Sequence, residues 1–301
     1  MAPVSPRSAG LSSTLAVVLH RAHAPEYVGI GVLLTLYLTV VVHLQPFHRM
    51  FYINNLAISF PHAEVEHVSV FMNFVWALYI PLGVLIVFNL VARSSPQKHE
   101  ATYLAFIISV LVNIVITDII KNAVGRPRPD LLDRCKPAEG TPRDTLVGFD
   151  VCTAAPGHTL TDGWRSFPSG HSSFAFSGLG FLALWLAGQL HIFNARGRRN
   201  LGKAVVCLVP VMGALLIAIS RCEDYRHDVY DVTVGSLIGA TVAYWSYRRH
   251  FPELSFIDCD EPYPAPGESI LTRGEFTRLG DEEALTRGQT NVSIELGATR
   301  S

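Results

Sequence analysis

Long apolar stretches alternate with polar segments along most of this 301-residue chain. A helix that crosses a lipid bilayer needs about 20 predominantly apolar residues. Six stretches meet or approach that length, and each is too long for a transmembrane strand. They are 27–44, 68–92, 101–120, 172–190, 202–220 and 229–247. The pattern predicts an all-α, polytopic membrane protein with six transmembrane helices.

The segments outside these stretches divide the chain into three predicted parts. Residues 1–26 lack an apolar run long enough for a signal peptide, and we expect them to form a short cytoplasmic segment. Residues 27–250 hold the six helices and form the membrane domain. Residues 251–301 are polar and begin with several prolines, so we predict a disordered cytoplasmic tail. A long polar loop, 122–167, joins the third helix to the fourth, and its length suggests function or flexibility.

Composition supports a lipid environment. Only 16% of the residues are charged, whereas a soluble domain usually carries about a quarter. The net charge of -1 gives no sign of a nucleic-acid partner. The five cysteines form no CxxC pair, which argues against a zinc or dithiol site. Cys135 and Cys152 share the long loop, and both a disulfide and two free thiols are consistent with the sequence.

Three groups of polar residues lie at the ends of predicted helices. Ionisable residues in membrane segments usually mark function. The first group closes the third helix, the second opens the fourth, and the third lies between the fifth and the sixth. Their members are Lys121 and Arg128; Ser169, Gly170 and His171; and Arg221, His227 and Asp231. Because the third and fifth helices end on the side from which the fourth and sixth depart, all three groups share one membrane face.

These residue types suit phosphate chemistry. Arginine and lysine side chains bind phosphate oxygens, and the backbone N–H groups of Ser169 and Gly170 at a helix N-terminus favour an anion. His227 and Asp231 are four residues apart, so a helix would place both on one face. The carboxylate would then fix the tautomer of an imidazole nucleophile. His171 is placed to protonate a leaving group.

Each feature also has an ordinary explanation. A single Lys121 or Arg221 at a helix end is more often an anchor whose charge reaches the membrane interface. Ser169 is a typical helix cap. The His227 and Asp231 pair also suits a surface contact or part of a metal site, although three neighbouring cations would repel a divalent metal. Their combination on one membrane face favours catalysis.

Together, the motifs resemble those of the type 2 phosphatidic acid phosphatase superfamily, the lipid phosphate phosphatases. That signature is K-x6-R-P, P-S-G-H and S-R-x5-H-x3-D, and every position of it is present here. The resemblance spans the whole six-helix region and implies a six-helix bundle of the phosphatase and haloperoxidase kind. It implies His227 as a nucleophile that forms phosphohistidine, Asp231 as the residue that orients it, and His171 as the acid and base. The phosphate-binding residues that it implies are Lys121, Arg128, Ser169, Gly170 and Arg221. It also implies catalysis without magnesium or another cofactor.

The segment 58–69 resembles the fungal and eukaryotic diacylglycerol pyrophosphate phosphatase-like subgroup. The expected substrates are therefore the phospholipids phosphatidate, lysophosphatidate and diacylglycerol pyrophosphate. The alternatives are a polyprenyl-pyrophosphate or sphingoid-phosphate phosphatase on the same fold, and a non-catalytic membrane scaffold. Within this segment, His62 and His67 are expected to be ordinary polar loop residues.

The distribution of positive charge predicts an orientation in the membrane. Lysine and arginine accumulate in short cytoplasmic loops. Here they are frequent after the second, fourth and sixth helices, opposite the predicted site. We therefore expect cytoplasmic termini and an active site that faces a lumen, a vacuole or the exterior. The oligomeric state is left open.

Overall fold

A computed structural model describes residues 23–197 and 200–264 of the chain. Most of the predicted N-terminal segment and the predicted tail beyond residue 264 lie outside the described residues. The described ranges are mostly helical, and they contain two isolated β-bridges but no named strand. This agrees with the predicted all-α class.

The described residues form six long helices, and each overlaps one predicted apolar stretch. They are α1 Ala24–Thr39, α2 Val70–Val91, α3 Pro96–Val124, α4 Gly170–Gln189, α5 Leu201–Glu223 and α6 Val229–His250. The middle of α2, Val75–Tyr79, is a π-helical turn. This irregularity directly precedes Pro81, whose ring blocks a regular backbone hydrogen bond.

Local side chains fix where these helices begin and end. Ser95, Ser169 and Asn200 cap α3, α4 and α5 by accepting a hydrogen bond from a backbone N–H in the first turn. Asp228 caps α6 in a reciprocal capping box with Asp231. Helix α3 ends at Gly125, whose φ is +58°, and a Cβ there would lie 1.7 Å from a backbone oxygen. Only glycine fits this turn.

Within residues 23–197 and 200–264, four helical segments are long and apolar enough to cross a membrane: Ala24–His43, Val70–Val91, Pro96–Val124 and Leu201–Glu223. The first joins α1 to the short 3₁₀ turn Val41–His43. Helices α4 and α6 do not meet the same hydropathy criterion. Helix α4 packs against α3, α5 and α6, and a helix enclosed by protein does not need an apolar surface on every side. Six spans therefore stay a prediction.

Two hydrophobic cores support the part of the chain that the structure describes. The helical core is built from residues of α2, α3, α4, α5 and α6. It includes Phe106, Phe181, Trp185, Ala214 and Tyr247. The loop core lies in the polar region around the 125–169 loop and consists of Phe51, Ile58, Leu131, Cys135, Val147, Leu160 and Trp164. The long loop is therefore an ordered element with its own buried side chains.

Short helical turns and a disulfide organise the loop core. The α-helical turns are Leu131–Cys135 and His158–Thr161, and the 3₁₀ turns are Leu56–Ile58, Phe149–Val151 and Asp162–Trp164. Cys135 and Cys152 form a disulfide, so the structure selects one of the two arrangements that the sequence allowed. The indole of Trp164 donates to the backbone oxygen of Arg49 at 3.0 Å.

The chain after α6 stays packed beyond residue 250, where a disordered tail was predicted to begin. Phe251 and Cys259 are fully buried, and Phe251 stacks on Tyr247. Gly188 makes room for this segment, because a Cβ there would lie 2.7 Å from the Tyr247 hydroxyl. Residues 251–263 thus pack against the ends of α4 and α6. Their prolines suggested disorder, but they are compatible with an extended, packed segment.

Candidate active site

The three motifs meet around His227, in the turn between α5 and α6. Its side chain is only 2% exposed. Burial is the main cause that holds the pKa of His227 well below its usual value, and the charges of Arg128, Lys121, Arg221 and His171 act on the ring in the same direction. The imidazole is therefore neutral near pH 7, which is the state that a nucleophile needs.

Asp231, in the first turn of α6, is completely buried beside His227. Its carboxylate accepts hydrogen bonds from Arg126 at 2.6 Å, the Ser166 hydroxyl at 2.5 Å and the Asp228 backbone N–H at 3.1 Å. The Nδ1 atom of His227 lies 3.7 Å from Oδ2 of Asp231. This is within ion-pair range but longer than a hydrogen bond. The expected direct hydrogen bond is absent among these described atoms, because three other donors occupy the carboxylate.

Lys121 and the start of α4 form one side of the site. The Lys121 ammonium donates to two backbone oxygens in the segment 165–168, at 3.0 and 2.9 Å. A Cβ at Gly170 would lie 3.7 Å from Nζ of Lys121. The backbone N–H of Ser169 donates to the Asp231 backbone oxygen at 3.0 Å. The prediction that this Ser169 amide is available to an anion is therefore wrong, since α6 uses it. The Gly170 amide, in the first turn, has no acceptor within its own helix.

Arg128 is fixed by a carboxylate from the loop. Its Nε donates to the Asp162 backbone oxygen at 2.8 Å, and its Nη2 donates to the Asp162 carboxylate at 3.0 Å. Burial alone would raise the pKa of Asp162, but Arg128, Arg134 and Lys121 hold it below its usual value. Asp162 is therefore ionised near neutral pH and can fix the orientation of Arg128.

Arg221, in the last turn of α5, has a side chain that is 1% exposed. It donates to the Val68 backbone oxygen at 2.8 Å and lies 3.2 Å from the Asp224 carboxylate. Its Nη2 lies 3.1 Å from Glu66. The Nε of Arg221 and the Nε2 of His171 are both buried without a hydrogen-bond partner among the described residues. Both atoms are thus free to contact a ligand.

The structure brings all the predicted site residues to one end of α3–α6. The charges of Lys121, Arg128 and Arg221 act on the His227 ring, and Asp231 lies beside that ring. The backbone of Asp231 bonds to Ser169, and Lys121 lies next to Gly170 at the start of α4. The first, second and third motifs are therefore parts of one site. The roles of these residues stay a proposal.

Several residues at the site were not identified from the sequence. Arg126 lies inside the first motif and Ser166 lies two positions before the second, so their proximity to the motifs was an unused signal. Asp224 and Arg226 lie inside the third motif and carried the same unused signal. Glu66 and Asp162 had no such signal, since they lie in loops away from the motifs. His62 and His67 are not isolated loop residues, because they pair with Asp130 and Asp224.

Comparison with known proteins identifies the family. Residues 102–254 match the family model described as the PAP2 superfamily. The chain belongs to this superfamily. The match confirms the resemblance that the three motifs indicated, and the PAP2 fold is a helical membrane fold.

Several curated relatives are similar over most of their length. Diacylglycerol pyrophosphate phosphatase 1 of Saccharomyces cerevisiae is 42% identical over 254 residues, which cover 81% of this chain and 85% of that protein. Probable diacylglycerol pyrophosphate phosphatase 1 of Schizosaccharomyces pombe is 41% identical over 75% of this chain and 81% of its own. Lipid phosphate phosphatase 2 of Arabidopsis thaliana is 40% identical over 58% and 59%. No solved structure shows a significant match.

Metal-binding side chains are not clustered in the part of the chain that the structure describes. Residues 23–197 and 200–264 contain no group of three or more His, Cys, Asp or Glu side chains that could hold a metal ion. The site carboxylates Glu66, Asp162 and Asp231 are instead paired with arginines. Arginine and lysine side chains supply positive charge at this site.

Proposed function

We propose that this PAP2-superfamily chain is a magnesium-independent lipid phosphate phosphatase that acts through a phosphohistidine on His227. The central supporting observation is a buried imidazole in the turn between α5 and α6, on which the charges of Lys121, Arg128 and Arg221 act together. The substrates that we propose are phosphatidate, lysophosphatidate and diacylglycerol pyrophosphate. The printed names of the two yeast relatives support this class.

In the first step, His227 attacks the phosphorus of the lipid phosphate. Its Nδ1 lies on the Asp231 side, so Nε2 is the nitrogen that bonds to phosphorus. The bond between phosphorus and the lipid oxygen breaks, and its electron pair stays on that oxygen. His171 gains a proton when the negatively charged phosphate binds beside it, and it donates that proton to the leaving oxygen. The lipid product then departs, and the phosphoryl group stays on His227.

In the second step, a water molecule attacks the phosphohistidine. His171, now neutral, takes a proton from this water, and the bond between Nε2 of His227 and phosphorus breaks. Inorganic phosphate leaves, and both histidines return to their starting states. Phosphoryl transfer depends mainly on positioning and on neutralising negative charge. We assign that task to Lys121, Arg128 and Arg221, with the amide of Gly170 and the cap formed by Ser169.

Asp231 is a positioning residue in this proposal. Three hydrogen bonds fix its carboxylate, which lies 3.7 Å from the His227 ring. Catalytic hydrogen bonds in ligand-free sites are often long and tighten when the substrate binds. A developing positive charge on His227 would strengthen the interaction with this carboxylate. Asp231 thereby stabilises the ring during attack and holds the tautomer with Nε2 free.

We also propose that the membrane domain crosses the bilayer six times with both termini in the cytoplasm. The site then faces a lumen, a vacuole or the exterior. The disulfide between Cys135 and Cys152 supports this orientation, because disulfides persist in oxidising compartments. The positive loops after α2, α4 and α6 support the same orientation.

The decisive experiment is phosphate release from phosphatidate in detergent micelles with excess EDTA. We expect activity in the wild type and a loss of at least about a thousandfold in His227→Ala, since the proposed covalent bond forms on this ring. His99→Ala is the matched control, because this histidine lies in the first turn of α3, at the end opposite Lys121. Substantial turnover by His227→Ala, or a loss with EDTA that magnesium restores, would contradict the proposal. A panel with polyprenyl pyrophosphate and sphingoid phosphate distinguishes the alternative substrates.

A further inference from the structure

Glu66 bridges two arginines beside the site. Its Oε2 lies 3.1 Å from Nη2 of Arg221, and its Oε1 lies 2.9 Å from Nη2 of Arg226. Its side chain is 21% exposed, compared with 1% and 10% for the arginines. Arg221 is one of the residues that we propose to hold the reacting phosphate. A carboxylate of the protein therefore occupies donors that also suit a phosphate ligand.

The two arginines offer more donors than this carboxylate uses. The Nε of Arg221 and the Nε of Arg226 are both buried, and neither has a hydrogen-bond partner in the described part of the chain. Buried donors in proteins are nearly always paired. A guanidinium group presents its donors as a planar fork that matches two oxygens of a phosphate. The unpaired donors therefore suit an anion with more oxygens than the carboxylate of Glu66.

The place of Arg226 differs from that of the other site cations. Its side chain donates to the Ala63 backbone oxygen at 3.0 Å and lies 3.7 Å from the Asp130 carboxylate. Arg221, by contrast, contacts Glu66 and also acts on the ring of His227. Two anion positions thus share Arg221: one in front of His227 and one where Glu66 now lies. The two phosphates of a diphosphate are adjacent in the same way, because one oxygen joins them.

We infer that Arg221 and Arg226 form a second phosphate subsite, which Glu66 fills in this structure and which takes the non-reacting phosphate of a lipid diphosphate. This inference rests on the proposed function, because it requires His227 to attack the terminal phosphate. The bond from Nε2 to the terminal phosphorus forms, and the bond from that phosphorus to the bridging oxygen breaks. The electron pair stays on the bridging oxygen, so the leaving group is a lipid monophosphate. Arg226 stabilises the negative charge that this leaving group gains.

Glu66 competes with the substrate for this subsite. A carboxylate and a phosphate are both anions, so they cannot occupy the same donors together. The Glu66 segment precedes α2 and has no regular helix around this residue. Binding of a diphosphate therefore requires displacement of the Glu66 side chain, whereas a monophosphate in front of His227 leaves the contact with Arg226 in place.

The first test compares diacylglycerol pyrophosphate with phosphatidate as substrates in mixed micelles. The ratio of their kcat/KM values is measured for the wild type, Arg226→Gln and Arg226→Lys. We expect Arg226→Gln to lower this ratio at least tenfold and Arg226→Lys to restore part of it, since a charged hydrogen bond to the second phosphate is lost or weakened. The matched control is Arg196→Gln, which removes an exposed ion pair with Asp258 at the other end of α4. It should leave the ratio unchanged.

The second test uses inhibitors that cannot be turned over. Methylenediphosphonate and inorganic phosphate are compared as inhibitors of phosphatidate hydrolysis by the wild type and Glu66→Gln. We expect Glu66→Gln to tighten inhibition by the diphosphonate several-fold more than inhibition by phosphate. This comparison also decides the question alone if Arg226→Gln does not fold.

The outcomes separate the inference from the proposed function. Equal losses on both lipids in Arg226→Gln, or equal changes for both inhibitors in Glu66→Gln, would overturn the second subsite while the phosphatase remains. A wild type that hydrolyses neither lipid would overturn the proposed function itself. A selective loss on the diphosphate together with selective tightening by Glu66→Gln supports the subsite.

Discussion

The helical core and the loop core hold the same site by different means. The helical core fixes Lys121, Arg221 and Asp231 on long helices that pack closely where one partner is glycine. The loop core is much smaller, and it contains Trp164 and one disulfide cysteine, Cys135. Arg128 depends on this loop through its ion pair with Asp162.

This difference separates two kinds of support. In the helical core, close backbone packing determines where the site residues lie. A side chain added at a close helix contact would therefore displace a whole helix. In the loop core, a few large side chains and the disulfide determine where the loop lies. A change there therefore affects the loop before it affects the helices. Damage to the helical core should remove the fold, and damage to the loop core should remove activity while the helices persist.

The largest effect is expected where α4 meets α2. A Cβ at Gly178 would lie 1.8 Å from the Ala77 backbone oxygen. Gly178→Ala should therefore destabilise the protein by about 5 kcal/mol, because one helix must move away from the other. The measurement is the yield of monodisperse protein in detergent. Gly180→Ala is the control on the same helix, since its nearest neighbour would be 3.9 Å away. Similar yields for the two variants would refute the role of this close contact.

The next effect is expected in the loop core. Trp164→Ala removes a fully buried indole, and such a truncation costs about 3–5 kcal/mol. We expect phosphatase activity to fall strongly, because Arg128 and Asp162 lose their support, while the helical content measured by circular dichroism stays near that of the wild type. A parallel loss of helix and activity would show that the two cores are not separable.

A smaller effect is expected when the disulfide is removed. The double variant Cys135→Ser/Cys152→Ser should lose about 2–4 kcal/mol of loop stability, since the 17-residue separation between the cysteines is no longer constrained. The midpoint of thermal inactivation should fall, and a reductant should have the same effect on the wild type but none on the double variant. Cys207→Ser is the control, because this cysteine is free. An unchanged inactivation midpoint in the double variant contradicts this prediction.

The smallest effect concerns the exposed side chain of His67 and its buried partner Asp224. The hydrogen bond to Asp224 is the main cause that raises the pKa of His67, Glu223 adds to it, and Arg221 opposes it. A raised folded-state pKa contributes stability that is full below about pH 6.5 and is lost as the pH rises through the folded value. Thermal inactivation of the wild type and His67→Gln should therefore differ slightly at pH 5.5 and coincide at pH 9. A difference that persists at pH 9 would exclude this linkage.

Much of the fold and most of the proposed catalytic set could be predicted from local patterns. Each predicted apolar stretch overlaps a helix. Such a stretch can be read directly from the sequence, because its apolar residues are neighbours in the chain. The motifs were recognisable because Lys121, Ser169 and Asp231 lie next to helix ends. The ordered segment 251–263 was missed, since its apolar residues, including the buried Phe251 and Cys259, follow no regular helical or strand period.

By itself, the sequence determined which segments form the long helices and which end of those helices carries the proposed site residues. Only the tertiary structure decided how the charges are paired. Glu66 meets Arg221 and Arg226, and Asp162 meets Arg128, across long separations in the chain. Helix formation depends on neighbouring residues, whereas an ion pair depends on where the packed helices and the loop core place two distant side chains. A local sequence pattern therefore cannot predict which distant side chains will form an ion pair.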